Sequence, residues 1–145
     1  MQTFLPTRNF RTTAKILDYR RLGKQRVEGM QLLNSLSPQY DKKGWLSHPA
    51  RLMWAGYENA LKEYTNTMIK EWIARGYNNT MQLYNIEGPI VYPPWLGYPE
   101  LHKSHRMNLL RKDYDYYTGH FGIDAQTDLT VINEYPYYWP TDNKQ

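Results

Sequence analysis

Apolar residues recur at three- and four-residue steps over much of the chain, which is typical of helices that bury one side. The clearest run follows a cap at Ser47 or His48, has Pro49 in its first turn and continues to Gly76. Its apolar positions are Met53, Tyr57, Ala60, Leu61, Tyr64, Met68, Trp72 and Ile73. We expect one long helix here, at the centre of the core.

Three further helices are predicted. The first covers residues 9–22 with Asn9 as its N-cap, and Gly23 marks a stop or a kink after it. The second runs from about residue 24 to residue 36. Its inward positions are expected to be Val27, Met30, Leu33 and Leu36. The third fits residues 99–112.

The segments between these helices have the composition of loops. Residues 37–49 are rich in Ser, Pro, Asp and Gly, and residues 88–99 contain prolines that are incompatible with a helix interior. Residues 133–145 indicate an extended, aromatic tail, and only residues 128–133 suggest a strand. The prediction is an all-α fold, a single compact helical domain over residues 1–145 with long aromatic and proline-rich loops and an extended C-terminal tail.

Composition narrows the classes of protein that fit. The 145 residues suit one domain, and no apolar run approaches the roughly 18 residues of a membrane-spanning helix. The first residues lack the layout of a secretory signal, so we expect a cytoplasmic protein, in the host cytoplasm if a phage encodes it. Cysteine is absent, which excludes disulfides, thiolate nucleophiles and cysteine-bound zinc.

Charge is distributed unevenly around a net value of +4. Residues 1–28 carry seven basic and two acidic side chains, whereas residues 113–145 carry one basic and six acidic. The basic residues are densest in "LDYRRLGKQRVEG", residues 17–29, where Arg20 and Lys24 share one side if the helix continues through Gly23. Such a cluster indicates a surface for a polyanion, although a solvated helix face is the alternative.

A second basic segment, "LHKSHRMNLLRKD", covers residues 101–113. Its cations, Lys103, Arg106, Arg111 and Lys112, suit phosphates, and its polar side chains, Ser104, His105 and Asn108, suit a reacting sugar or base. His105 has an equally good interpretation as a histidine at the edge of the core. His48, His102 and His105 together suggest a metal-dependent nuclease, but no pattern of Asp or Glu supports a metal site.

The chain has fourteen Tyr, five Trp and three Phe. Several of these rings fall on the apolar stripe of the long helix and are expected in the core. Those outside any stripe could stack on unpaired bases, and they are Trp95, Tyr137, Tyr138 and Trp139. Rings interleaved with basic residues fit DNA or RNA better than a membrane surface.

The same motifs resemble a known family. The segments "MQTFLP", "LDYRRLGKQRVEG", "HPARLMWAGYENAL", "EWIARGYNNT", "PPWLG", "HKSHRMNLLRK" and "YYWP" resemble the pyrimidine-dimer DNA glycosylases of the endonuclease V type, especially a branch of short bacterial and phage proteins. The match to the characterised phage enzymes rests on fewer residues, around the first helix break and at residues 75–78.

The resemblance implies an all-α, cofactor-free, monomeric enzyme that binds damaged duplex DNA and everts a base. In this family the N-terminal amine attacks the sugar, a Schiff base forms, and β-elimination breaks the strand. Because Gln2 is large, we expect Met1 to be retained and its amine to be the nucleophile. Lys24, with its pKa lowered by neighbouring arginines, is the alternative amine.

One family residue is missing. The catalytic carboxylate directly follows the arginine matched by Arg20, and this chain has Arg21 there. We expect Glu28 to replace it, with Asp18 as the second choice. The predicted catalytic set is Met1, Glu28, Arg26 and His105, and the predicted DNA contacts are Arg8, Arg20, Arg21, Lys24, His48, Ser104, Arg106, Asn108, Arg111, Lys112, Tyr138 and Trp139. A non-catalytic nucleic-acid-binding protein with the same basic face is the alternative.

Overall fold

The structure, a computed structural model, describes residues 2–40 and 46–140, except for the side chain of Ile123. Within these ranges the chain forms α-helices and one short 3-10 helix, with no strand, so the predicted all-α fold is confirmed. The α-helices are α1 (Phe10–Ile16), α2 (Tyr19–Ser35), α3 (Pro49–Trp54), α4 (Glu58–Ala74), α5 (Pro99–Lys112), α6 (Tyr114–Thr118) and α7 (Leu129–Glu134), and the 3-10 helix is Gly122–Gln126.

The break between the first two helices lies at Leu17 and Asp18, so the predicted break at Gly23 is wrong. Leu17 is extended, and the Asp18 side chain caps α2 by accepting the N–H of Arg21. Gly23 lies inside α2, where a Cβ would come within 2.8 Å of the Trp72 ring on α4. The glycine therefore permits close helix packing and does not end a helix.

The inward face of α2 also differs from the predicted one. Its buried residues are Leu22, Gln25, Gly29, Leu32, Leu33 and Ser35, whereas Val27 is 37% exposed. Gly29 faces Thr65 of α4, and a Cβ at this glycine would lie 2.2 Å from the Thr65 hydroxyl oxygen. The closest contact with α4 is thus made at small residues, which the pattern of large apolar side chains does not indicate.

The predicted long helix is two helices. His48 caps α3 through its Nδ1, which accepts the N–H of Ala50 at 3.0 Å, and this confirms one of the two predicted caps. After α3 the chain turns at Gly56, whose φ of +90° favours glycine, and α4 then begins. The predicted end is confirmed, because α4 stops at Ala74 and Gly76 follows with a φ of +90°.

The other predictions mostly hold. Asn9 caps α1, and α5 has the predicted bounds. The proline-rich loop before α5 is not helical, but residues 128–133, the suggested strand, largely belong to α7. In the predicted tail, residues 135–139 are irregular, and residues 141–145 lie outside the described residues.

The buried apolar side chains form one cluster that joins the helices to residues 2–8, which we call the N-terminal segment. Helix α2 packs on α4, α1 packs on α4, and α5 packs on α6 and α7. Phe4 and Leu5 of the N-terminal segment are buried in this cluster. Within the described residues, no helix has the length and apolar character needed to span a membrane.

Candidate active site in a basic cleft

The N-terminal segment lies along α2 and is bonded to it through one edge of its backbone. The N–H of Gln2 donates to Glu28 Oε1 at 3.3 Å, and the carbonyl of Gln2 accepts Gln25 Nε2 at 3.1 Å. The N–H of Phe4 donates to Gln25 Oε1 at 3.0 Å. Three successive backbone groups on this edge are therefore paired with two side chains of α2.

Glu28 is half-buried, and both of its carboxyl oxygens accept hydrogen bonds. Oε1 accepts the Gln2 N–H, and Oε2 accepts Gln25 Nε2 at 2.8 Å. Burial raises the pKa of Glu28, and the Gln2 hydrogen bond and the charges of Lys24 and Lys112 only partly oppose this rise. A carboxyl group in this state suits both stabilisation of a cation and proton transfer.

A cleft of about 370 Å³ opens beside Glu28, and we call it the basic cleft. Its lining residues are Gln2, Phe4, Arg20, Arg21, Lys24, Glu28 and Lys112. Four cations thus surround one carboxylate, and a polyanion entering the cleft would meet a net positive lining. Met1 lies outside the described residues, but Gln2, to which it is bonded, lines this cleft.

A second cleft of about 770 Å³ adjoins the basic cleft and shares Arg20, Lys24 and Glu28 with it. We call it the aromatic cleft, and its other lining residues are Tyr19, Gly23, Arg26, Val27, Gln31, His48 and Trp72. The Arg26 guanidinium lies over the Trp72 ring, 4.2 Å from its centre, and donates to Asn79 at 2.7 Å. Burial lowers the pKa of Arg26.

Asp18, the second carboxylate considered, is part of the helix framework. Its side chain accepts the Tyr117 hydroxyl and the Arg21 guanidinium, the latter at 3.2 Å. Burial alone would raise the pKa of Asp18, but these hydrogen bonds and the Arg21 charge outweigh burial and lower it. Asp18 does not line the basic cleft, so Glu28 is the carboxylate that lies beside Gln2.

Two arginines predicted to contact DNA are instead bonded within the protein. Arg106 pairs with Asp124 at 2.5 Å and donates to the carbonyl of Pro6 at 2.9 Å. Arg111 donates to two carbonyls at the C-terminal end of α7, those of Ile132 and Tyr135. These contacts engage both arginines with the protein itself, and neither side chain lines the basic cleft described above.

The polar residues of α5 are buried as well. Ser104 donates to the Leu101 carbonyl and accepts the Tyr138 N–H. His105 Nδ1 accepts the Leu5 N–H at 2.8 Å, and burial lowers its pKa to about 3. This position agrees with the interpretation of His105 as a core histidine rather than with a contact to DNA.

Asn108 is the exception, since it reaches the site through Gln2. Its Nδ2 donates to Gln2 Oε1 at 3.1 Å. The side chain thus fixes the second residue of the chain from α5, while Glu28 and Gln25 fix it from α2. Lys112, one turn further along α5, contributes a cation to the same cleft.

The three histidines considered as metal ligands do not converge. His102 uses both ring nitrogens, since Nδ1 contacts the Leu5 carbonyl at 2.8 Å and Nε2 accepts the Gly97 N–H at 2.9 Å. His105 is bonded to Leu5, and His48 caps α3. In the described part of the chain, no three His, Cys, Asp or Glu side chains could hold a metal ion.

The remaining predicted contacts are spread over the surface. Tyr138 packs against Tyr98 at 5.1 Å, and Trp139 packs against Tyr137 and the His48 ring. Arg8 lines a third cleft, which shares no residue with the basic or aromatic clefts.

Sequence reasoning did not identify Gln25, which is fully buried. A signal was present, because Gln25 is spaced three and four residues from Leu22 and Gly29 and is therefore a polar side chain on an otherwise apolar face.

The N-terminal part of the chain matches a known protein family. The model of the family described as pyrimidine dimer DNA glycosylase matches residues 1–85, more than half of the chain. The match includes α1 to α4, Glu28 and the basic cluster of α2, and the protein belongs to this family. Its class is therefore that of a DNA repair enzyme that acts as a DNA glycosylase. Neither a curated protein nor a solved structure matches the chain.

Proposed function

We propose that the protein removes a damaged pyrimidine from duplex DNA and then breaks the strand by β-elimination, with the Met1 amine as nucleophile. The observation that carries this proposal is the position of Gln2, which is bonded to Glu28 and lines a cleft with four cations. Met1 is covalently attached to Gln2. A sugar bound in this cleft would meet an amine and a carboxylate together.

In the proposed reaction, the neutral amine attacks C1′ of the damaged nucleotide. The bond between C1′ and the base breaks, and its electron pair stays with the base, which takes up a proton. Opening of the sugar ring gives an imine between Met1 and C1′. Loss of a proton from C2′ then expels the 3′-phosphate, and water hydrolyses the imine to release the enzyme. No metal or cofactor enters these steps.

Glu28 stabilises the positive charge that develops on the sugar and on the imine nitrogen. Because burial raises its pKa, the same carboxyl group can also carry a proton between the amine, the sugar ring oxygen and C2′. An α-amino group has an ordinary pKa of about 7.7–8.0, and nearby cations favour its neutral form. Arg20, Arg21 and Lys24 therefore serve the nucleophile as well as DNA binding.

For DNA binding, we propose that Arg20, Lys24 and Lys112 contact the phosphates on either side of the damaged nucleotide. These three side chains line the basic cleft together. The adjoining aromatic cleft has room for an everted base beside Trp72 and His48. Phosphate contacts supply affinity, and the Tyr19 ring, which lines the aromatic cleft and is 49% exposed, supplies a stacking surface.

Borohydride trapping on duplex DNA with a single abasic site tests this proposal. The reagent reduces an imine, so a covalent adduct is expected, and peptide mapping should locate it at Met1. A Lys24→Arg variant keeps the charge and is expected to form the same adduct. An adduct mapped to Lys24 would reassign the nucleophile, and binding without any adduct would favour the non-catalytic alternative.

The same duplex carrying a cyclobutane pyrimidine dimer tests the substrate. We expect strand cleavage at the dimer and none in the undamaged duplex. Cleavage of the abasic duplex alone would retain the lyase activity but contradict the proposed glycosylase specificity.

A further inference from the structure

Gln25 is fully buried on the inward face of α2, although its side chain is a polar amide. A buried amide is costly unless its donors and acceptors are paired. Here they are paired, since Oε1 accepts the Phe4 N–H at 3.0 Å and lies 2.6 Å from the Tyr64 hydroxyl. Nε2 donates to the Gln2 carbonyl at 3.1 Å and to Glu28 Oε2 at 2.8 Å. Every donor and acceptor position of the amide is thus within hydrogen-bond distance of a partner, and the single proton of the Tyr64 hydroxyl is shared between Gln25 Oε1 and the Phe4 carbonyl.

The backbone determines which way this amide points. The Phe4 N–H can only donate, so it must face Oε1, and the Gln2 carbonyl can only accept, so it must face Nε2. The second hydrogen on Nε2 is then directed at Glu28 Oε2, which must accept it. Tyr64 holds the amide from α4, because its hydroxyl lies between Gln25 Oε1 and the Phe4 carbonyl.

We infer that Gln25 is a positioning residue for the proposed chemistry: it fixes the register of the N-terminal segment against α2 and the orientation of the Glu28 carboxylate. Both effects come from one side chain. Gln25 bonds to residues 2 and 4 of the segment and to the carboxylate that accepts the N–H of residue 2. The distance between the chain's first residues and Glu28 therefore depends on this amide. The inference rests on the proposed role of Glu28.

Glu28 is surrounded by titratable and charged groups on several elements. These are Arg20, Arg21 and Lys24 of α2, Lys112 of α5, Tyr64 of α4, Tyr137 of the tail and the amine that precedes Gln2. Only the Gln25 and Gln2 donors are hydrogen-bonded to its carboxylate among the described residues. Loss of the Gln25 donor should therefore favour the protonated carboxyl.

The test compares Gln25→Met, which keeps the length of the side chain but removes its hydrogen bonds, with the wild-type chain. Misplacement of reacting groups by about 1 Å costs on the order of 100-fold in rate, so we expect single-turnover cleavage of abasic duplex to fall roughly 10- to 100-fold. The dissociation constant for an uncleavable abasic duplex should change less than about threefold, because no phosphate contact is removed. The acid limb of the pH–rate profile should move to higher pH.

The matched control is Ser35→Ala. Ser35 is buried in the same helix, its hydroxyl donates to the Leu32 carbonyl, and it lines neither cleft. This variant should lose stability without a shift of the pH profile. If Gln25→Met reduces the rate only in proportion to its unfolded fraction, or leaves the acid limb in place, Gln25 is a core residue and the inference is wrong.

A second variant and a second measurement keep the inference testable if Gln25→Met does not fold or the wild type does not cleave DNA. Gln25→Glu keeps the acceptor for Phe4 but places a carboxyl group against Glu28. NMR titration of the Glu28 carboxyl should then give a higher pKa than in the wild type. An unchanged pKa would overturn the inference. Absence of a Schiff base in the wild type, in contrast, would overturn only the proposed function.

Discussion

Helices α2 and α5 each carry a dense set of basic residues, yet they use them differently. On α2, Arg20 and Lys24 line an open cleft, and no ion pair joins them to a carboxylate within the described part of the chain. On α5, Arg106 forms a partly buried ion pair with Asp124, and both Arg106 and Arg111 donate to backbone carbonyls. Similar charge patterns therefore leave cations open to a ligand on one helix and hold the fold together on the other.

The difference arises from what each helix faces. Helix α5 lies against the N-terminal segment and α7, where the carbonyls of Pro6, Ile132 and Tyr135 accept hydrogen bonds from its arginines. Helix α2 packs on α4 through small and apolar residues, and its cations Arg20 and Lys24 remain exposed beside that contact. The comparison predicts that substitutions of Arg20 and Lys24 on α2 change function and that substitutions of Arg106 and Arg111 on α5 change stability.

Glu28→Gln should have the largest effect on function. It removes the carboxylate from the basic cleft while keeping the size of the side chain, so cleavage of abasic duplex should fall about 10²- to 10³-fold with DNA binding retained. Single-turnover cleavage and fluorescence anisotropy measure the two properties. The control is Asp115→Asn, which also removes one negative charge but at an exposed site on α6. This variant should leave cleavage unchanged. Full activity of Glu28→Gln would show that this carboxylate is not required.

Arg106→Leu should have the largest effect on stability. The change leaves Asp124 without its partner and the Pro6 carbonyl without its donor, at a cost of about 3 kcal/mol. Urea unfolding measures the loss. Affinity for DNA, corrected for the folded fraction, should remain at the wild-type value. A stable variant with weak DNA binding would place Arg106 on the DNA surface and contradict the contrast between the two helices.

The pH dependence of stability should reveal the buried histidine of α5. His105 is neutral in the fold, because burial, with smaller effects of His102 and Arg106, lowers its pKa to about 3, whereas the unfolded chain takes up the proton near its ordinary pKa. This contribution to stability is fully present above that ordinary value and is lost as the pH falls towards the folded pKa. Between pH 7.5 and pH 5, the free energy of unfolding should drop by about 2 kcal/mol.

His105→Asn is the control for this measurement. Asparagine offers an oxygen to the Leu5 N–H but does not titrate, so the variant should start less stable and show a flatter pH dependence. Unfolding in urea at several pH values gives both curves. If the variant and the wild type lose stability in parallel, another group is responsible for the acid sensitivity.

Arg20→Met and Lys24→Met should have the smallest individual effects. Each is expected to weaken DNA binding by roughly threefold to tenfold at about 0.1 M salt and to reduce the slope of log affinity against log salt by about one. Stability should change by less than about 0.5 kcal/mol, because both side chains are exposed. A salt slope that stays at the wild-type value would show that these cations do not contact phosphates.

Local sequence signals predicted several elements well. Asn9, the proline at the start of α5 and the glycine after α4 act within one or two turns of the backbone, so their effect does not depend on distant residues. Two of the errors concern glycines. The local pattern indicates a stop or a kink at Gly23, but this glycine lies inside α2 against Trp72. The turn at Gly56 is hidden in the sequence because the apolar pattern continues across it.

The candidate site was predicted in part. Glu28 and the cations of α2 lie beside Gln2 as expected, because they are close together in sequence and on neighbouring turns of one helix. The Gln25 contacts and the role of Asn108 could not be predicted, since they depend on how the N-terminal segment and α5 meet α2. Whether each arginine of α5 faces solvent or donates to a backbone carbonyl also depends on that packing.

The sequence by itself determined the helical class, several of the helix ends, the concentration of positive charge near the N-terminus and the absence of thiol chemistry. These properties follow from composition and from interactions over a few residues. The tertiary structure decided which of the basic residues face a cleft and which carboxylate lies beside Gln2. The physical reason is that hydrogen bonds such as those from Asn108 to Gln2 and from Arg106 to Pro6 join residues about a hundred positions apart, and only the packed helices bring them together.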